Sequence, residues 1–333
     1  MFDAVLLVSF GGPLGPDDIR PFLANVLRGR RVSPKRVEAV AKHYEHFGGV
    51  SPITGLTMRQ AEGLRERLVA GGNDLPVFVG MRNWHPLLTD TLRKMSAAGI
   101  RRVVGFITAA QHSYSSCAQY KQNVADARAA LRASGHADVE VTYVESWFDH
   151  DLFIEANADH VRAALDRLPV ELRARAQLIC TAHSVPTQMA TDSRYREQLQ
   201  AGAALVAERA GMADWALVYQ SRSGRPGDPW LEPDVCDYLR AEYAGGLRAA
   251  VICPIGFVCD HVEVLWDLDV EAADVCRTLG IAMARAEAAN ADPRFLDLMA
   301  VMVRRTLARY DGRRPLPFAP LDTLTHARSR SPL

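Results

Sequence analysis

The sequence predicts an α/β protein of two doubly wound lobes with parallel sheets, on three observations. Short apolar runs alternate with helix-length amphipathic stretches along nearly the whole chain. Those runs are almost continuously apolar rather than alternating, as expected of strands covered on both faces. They also divide into a group of four before about residue 145 and a group of three after it, which suits two lobes better than one large sheet.

In chain order the strand candidates are Val5–Phe10, Val77–Gly80, Arg102–Thr108, Val139–Val144, Gln177–Thr181, Trp215–Tyr219 and Ala249–Pro254. Between them, helix-period patterns fall near 56–70, 87–98, 117–134, 151–168, 196–210, 232–243, 260–280 and 293–309. The first lobe is set at 1–145 and the second, with the final helix, at 146–310. The Pro- and Arg-rich stretch 311–333 is expected to be a disordered tail. A weak echo links the halves, with a strand leading to Gln111-His112-Ser113 in one and to Ala182-His183-Ser184 in the other. Ligands of open α/β sheets bind beyond the carboxyl ends of strands, which places both histidines at that rim.

The 333 residues carry 39 Lys+Arg and 39 Asp+Glu, so no overall basic field is present to attract nucleic acid. No apolar stretch has the length of a membrane span, and the N-terminal run lacks the basic flank of a signal peptide. The six cysteines form no C-x-x-C pair and no disulfide-like clustering, which predicts a reducing, cytoplasmic setting. Dinucleotide, Walker-type and nucleophile-elbow motifs are absent, which disfavours common nucleotide and acyl-transfer chemistries.

The informative segment is Pro254–Glu271, where a buried strand ends at a Pro/Gly turn and a helix begins near Asp260. Glu263, Asp267 and Glu271 recur every four residues and so share one face. Such a row is either a solvated acidic face or, with Val262, Val264, Leu265 and Trp266 burying the rest of the helix, a run of oxygen ligands for a divalent cation. His183, after an apolar strand and before Ser184-Val185-Pro186, is either a core histidine or an imidazole placed to accept a proton or bind a metal. The basic run Arg28–Arg36 is a solvated loop or a partner for substrate carboxylates. Tyr44–Ile53, with its aromatics and Gly48-Gly49 turn, is an ordinary helix end or a wall for a flat apolar ligand.

Taken together, these segments resemble ferrochelatase, the enzyme family that inserts Fe(II) into a porphyrin during heme synthesis. The matching pieces, in order, are Leu7–Pro13, Gly48–Pro52, Val144–Phe148, Ala182–Pro186, Asp228–Leu231 and Gly256–Glu263, spread over most of the chain to about residue 309. The resemblance implies two Rossmann-like lobes with the porphyrin clamped in the cleft between them. It implies that His183 and Glu263 face the metal and act in catalysis, and that Asp267 and Glu271 extend an acidic row guiding metal or protons. It further implies that Ser51 and Tyr120 touch the porphyrin and that Tyr44 and Arg28 line its edge.

Some positions depart from that pattern. Leu14 stands where many bacterial relatives have a metal-ligating tyrosine, and His43 stands where some carry arginine. Cys117 matches one ligand of relatives with a [2Fe–2S] cluster, but no cysteine follows Cys276, so no cluster and no tightly bound cofactor is expected, with Fe(II) a substrate. Cys259 reads as a packing thiol. The absence of a membrane-docking extension points to coproporphyrin III, with its four carboxylates, rather than protoporphyrin IX. The expected partners are therefore porphyrin and Fe(II), without nucleic acid or a membrane span, together with transient contact to neighbouring heme-pathway enzymes. The rival readings are a cobalt or nickel tetrapyrrole chelatase and a non-enzymatic tetrapyrrole carrier.

Overall fold

The computed structural model describes residues 2–29, 32–113, 117–223 and 227–311. Arg30 and Arg31 of the basic run, and residues 312–333 of the expected tail, lie outside the described residues.

Strands β1 (Ala4–Ser9), β2 (Val77–Met81), β3 (Arg102–Ile107) and β4 (Glu140–Tyr143) form one parallel sheet in the order β2-β1-β3-β4. Strands β5 (Gln177–His183), β6 (Trp215–Gln220), β7 (Ala249–Cys253) and β8 (Ala282–Arg285) form a second in the order β6-β5-β7-β8. Every residue of β1 and β7 is buried, because helices cover both faces of each sheet. Each sheet runs outward from its first strand and then crosses back over it. The crevices of the fold therefore lie at the carboxyl ends of β1 and β3 and of β5 and β7.

The two lobes share this topology, but the His-Ser echo does not mark it. By position in the sheet, β5 corresponds to β1, and β3 corresponds to β7. His183 is the last residue of β5, whereas His112 lies in the loop beyond β3, its backbone N–H donating to Gln198 Oε1 at 2.6 Å.

Besides short helices such as Ile19–Val26 that the patterns did not show, a strand and two helices differ from the sequence-based expectation. Strand β8 is only Ala-Met-Ala-Arg, too short and mixed to show as an apolar run, and it forms because Ala249–Ile252 of β7 supply a paired edge. The end of the basic run opens a helix, Pro34–His46: Ser33 Oγ accepts the Arg36 N–H at 3.3 Å, and Pro34 takes the first turn. The expected 260–280 helix is continuous from Val262 to Leu279, but its middle, Leu265–Ala272, is wound as a π-helix.

An apolar core joins the lobes. The Phe106 ring stacks on Trp147 with centroids 5.4 Å apart, and Phe153 and Phe295 close around Trp147 at 5.2 and 5.6 Å. The final helix, Pro293–Arg309, supplies Phe295 and packs on the first lobe's helix Pro52–Ala70 as well as on Asp151–Leu165. A Cβ at Gly63 would come within 2.5 Å of Leu296, so glycine permits this close approach. The segments following the carboxyl ends of the two sheets also meet. Gln111 Nε2 donates to the Ile255 carbonyl at 3.3 Å, and Gln60 Nε2 donates to Cys259 Sγ at 3.1 Å.

Candidate active site

His183 ends β5 at the second sheet's crevice, and the chain leaving β7 folds back to meet it. The Gly256 N–H donates to the Thr181 carbonyl at 3.0 Å. A Cβ at Gly256 would lie 2.4 Å from Ala182 Cβ, so only glycine lets this turn press against β5. The turn delivers Val262–Val264, and with it Glu263, beside the strand end.

The His183 ring is oriented by its neighbours. Nδ1 donates to the Ser184 carbonyl, which can only accept, so Nδ1 carries the proton and the neutral ring's lone pair sits on Nε2. Tyr195 Oη donates to the His183 carbonyl at 3.0 Å, and Ser184 Oγ donates to the Leu231 carbonyl at 2.8 Å. Nε2 of His183 faces Glu263 Oε1 at 3.7 Å, while Nε2 of His261 faces Glu263 Oε2 at the same distance. Burial pushes the Glu263 carboxyl up, but the imidazoles of His183, His261 and His43 outweigh it and hold the carboxyl below its ordinary value.

Beyond Glu263 the acidic side chains continue along the helix. Asp267 accepts from Ser221 Oγ and from Gln220 Nε2, the latter at 3.2 Å. Its carboxyl is raised to about 7, first by burial and then by repulsion from Glu263 and Glu271. Ser221 makes its contact from a left-handed backbone, φ +61°, a costly conformation for a non-glycine residue. Glu271 Oε1 accepts from Trp266 Nε1 at 2.9 Å. The His43 ring lies flat on Trp266, 3.9 Å away and 8° from parallel, and His46 meets the same indole edge-on at 5.4 Å. The two lobes thus touch across the outer end of the carboxylate row.

The other expected site residues are spread along the first lobe. Tyr44 is buried against Phe22 in the cluster that also takes Val262 from the second lobe, and burial followed by the nearby Glu263 charge raises its phenol. Ser51 is buried at the start of helix Pro52–Ala70, with its N–H on the Pro13 carbonyl at 2.9 Å and Gly12 close against its side chain. Tyr120 is buried beneath the Arg82 guanidinium, which lies 4.7 Å over its ring and reaches Asn123 Oδ1 at 2.7 Å. Arg28 is exposed and held by Asn25 Oδ1 at 2.6 Å, which keeps it on the first lobe's surface rather than in the His183–Glu263 group. Leu14 is exposed and pairs with Val50 as an apolar lip beside Ser51. Cys259 is buried at the lobe contact, where burial raises its thiol to about 12, and Cys117 Sγ lies 2.7 Å from His112 Nδ1.

Sequence reasoning did not assign a role to His261, Gln220 or Ser221. His261 lay inside the informative segment, so its neighbourhood to Glu263 was available as a signal. Gln220 and Ser221 carried none beyond following a strand candidate. Their role depends on β6 pairing with β5, which places Gln220 opposite His183.

The ferrochelatase family's sequence profile matches residues 2–307. The coproporphyrin III ferrochelatase of Mycolicibacterium smegmatis is 46% identical over 324 residues, covering 95% of this chain and 94% of the relative. That of Nocardia farcinica is 47% identical over 323 residues, covering 94% and 90%. Among solved structures, SirB from Bacillus subtilis with Fe3+ shares the fold, with a TM-score of 0.56 over 94% of this chain and 98% of that one, at 12% identity. With its length matched almost end to end, this chain belongs to the ferrochelatase family.

Proposed function

We propose that this protein inserts Fe(II) into coproporphyrin III, giving Fe-coproporphyrin III in heme biosynthesis. The observation that carries the mechanism is the His183–Glu263 pair at the β5/β7 crevice, with an acidic row leading away along the helix. Two pyrrole N–H protons must leave as iron enters. His183 Nε2 has one lone pair, so it cannot accept a proton and hold iron at the same time. In our reading Glu263, with two carboxylate oxygens, holds the incoming Fe(II) while His183 takes one pyrrole proton and the second leaves by way of the carboxylates outward of the pair. Asp267 and Glu271 supply oxygen ligands or proton acceptors at steps outward from that pair. Contacts of both lobes with the macrocycle provide the binding energy that bends it, turning its nitrogen lone pairs toward the metal. Ser51, Tyr120 and Tyr44 would contact the ring, and Arg28 on the rim would meet its carboxylates.

Coproporphyrin III is favoured over protoporphyrin IX because highly similar relatives bear that name, and its four carboxylates suit a cytoplasmic enzyme. No helix among the described residues is long and apolar enough to cross a membrane. We also propose that the protein carries no iron–sulfur cluster, since the sequence has no cysteine after Cys276, and that its contacts with neighbouring heme-pathway enzymes are transient.

The test is anaerobic Fe(II) insertion followed by absorbance, with coproporphyrin III and protoporphyrin IX side by side. Faster multiple turnover on coproporphyrin III is expected. Preference for protoporphyrin IX would overturn the substrate, and tight binding of either without metal insertion would leave a carrier.

A further inference from the structure

Four acids lie close together on one helix, Glu263, Asp267, Asp269 and Glu271, and their mutual repulsion works against the row the site needs. Asp269 stands two residues from both Asp267 and Glu271, so it belongs to another side of the helix. There it meets Arg285 at the end of β8: Nε donates to Asp269 Oδ1 at 2.7 Å, while Nη1 donates to Asp260 Oδ1 at 2.9 Å. Asp260 lies just before the helix and Asp269 within its π-wound middle, so one guanidinium pins both. Arg285 and Asp260 are nearly buried, with side chains 13% and 11% exposed, where paired charges are screened little by solvent.

The contact does not end at Asp260. Asn290 Nδ2 donates to Asp260 Oδ2 at 2.8 Å, and the Asp260 N–H donates to Asn290 Oδ1 at 2.8 Å. Asn290 holds a left-handed backbone, φ +48°, and its carbonyl accepts from Gln60 Nε2 at 2.5 Å. Gln60 is fully buried on helix Pro52–Ala70, which starts directly after Ser51. An unbroken hydrogen-bond chain therefore runs from the first lobe to the far side of the acidic helix.

We propose that Arg285 is a positioning residue that sets which of the helix's carboxylates face the site, and that the chain Gln60–Asn290–Asp260 ties this setting to the first lobe. The inference rests on the iron-insertion reading and adds to it a residue that touches neither metal nor porphyrin.

The experiment compares the wild type with Arg285→Ala, Arg285→Lys and Gln60→Ala. It reads kcat, KM for Fe(II), and the Kd for coproporphyrin III from tryptophan quenching. A carboxylate displaced by about 1 Å can cost about a hundredfold, so Arg285→Ala is expected to lower kcat/KM for Fe(II) by between about ten- and a hundredfold. The porphyrin Kd should stay within about twofold, because the lost contacts lie off the macrocycle. Arg285→Lys, able to reach one carboxylate but not both, should recover part of the loss, and Gln60→Ala should lower kcat in the same sense. A porphyrin Kd that weakens in step with kcat, or unchanged kinetics in Arg285→Ala, would overturn the proposal. Should Arg285→Ala not fold, Arg285→Lys and Gln60→Ala decide it by the same criteria. Calorimetric Zn(II) binding to porphyrin-free protein separates this inference from the iron-insertion reading. If the wild type inserts no iron, a tenfold weaker Zn(II) Kd in the variant still supports the positioning role, and equal affinities overturn it.

Discussion

His183 Nε2 and Glu263 Oε1 stand 3.7 Å apart, side by side in the crevice but beyond hydrogen-bond length. The imidazole is oriented by Ser184 on its other nitrogen, so the pair leaves the Nε2 lone pair uncommitted. A salt bridge at hydrogen-bond distance would occupy that lone pair with a proton and remove the site's base.

Replacing His183 with alanine should lower iron insertion by at least about a hundredfold, the usual contribution of a positioned acid–base group. Glu263→Gln, which keeps shape and removes charge, should lose a similar amount. Porphyrin binding should survive in both. Turnover and fluorescence titration on each variant check this, and normal insertion by His183→Ala would remove His183 from the mechanism.

Asp267 gives a pH signature. Its carboxyl is raised to about 7 in the folded protein, well above the unfolded value near 3.8. Folding therefore favours its protonated form. The cost of ionising it in place is absent below about pH 4, grows as pH rises, and is complete above about 7. Asp267→Asn should match the wild type's melting temperature at pH 4 and exceed it at pH 8. If ionised Asp267 relays metal or protons, the wild-type rate should also rise through neutral pH and the variant's should not.

Gly256→Ala places a methyl group where Ala182 Cβ already stands, 2.4 Å away. Overpacking of this kind costs about 1–3 kcal/mol, and relief requires the turn to move off β5. Because that turn delivers Glu263 to His183, activity should fall further than the melting temperature suggests. Thermal denaturation beside kinetics on one preparation tests this.

The His43–Trp266 stack should contribute about 0.5–1.5 kcal/mol beyond its buried area. Burial holds the His43 imidazole below its ordinary value of 6.5, against the pull of Glu271. The folded state thus prefers the neutral ring, and this part of the stability is fully present above about pH 6.5 and lost as pH falls from there through the lower folded value. His43→Ala should therefore destabilise the protein at pH 8 and do so less at pH 5.5, measured by urea denaturation.

Much of this molecule is written in short stretches of chain. The central strands β1, β3, β5 and β7 show as apolar runs because they are buried on both faces, and the Glu263–Asp267–Glu271 row shows because residues four apart lie near one another on a helix. The Gly256–Glu263 segment carries the turn, the helix start and the carboxylate together. By contrast, β8 has no pattern of its own and exists only where β7 offers it an edge. The echo between His112 and His183 joins the loop after β3 to the end of β5, strands with different places in their sheets, because local similarity does not record a strand's place in its sheet.

The sequence by itself determined the α/β class, the family resemblance and the residues with the chemistry to act, since these follow from local periodicity and side-chain type. Tertiary structure decided which of those residues meet. It brought His183 to Glu263, laid His43 on Trp266, and set Gln220 and Ser221 on Asp267. The physical reason is that each of the meetings depends on strand order, on a turn tight enough to need glycine, or on the packing of one lobe against the other. Such relations join residues tens or hundreds of positions apart, and nothing in the local pattern of either partner announces them.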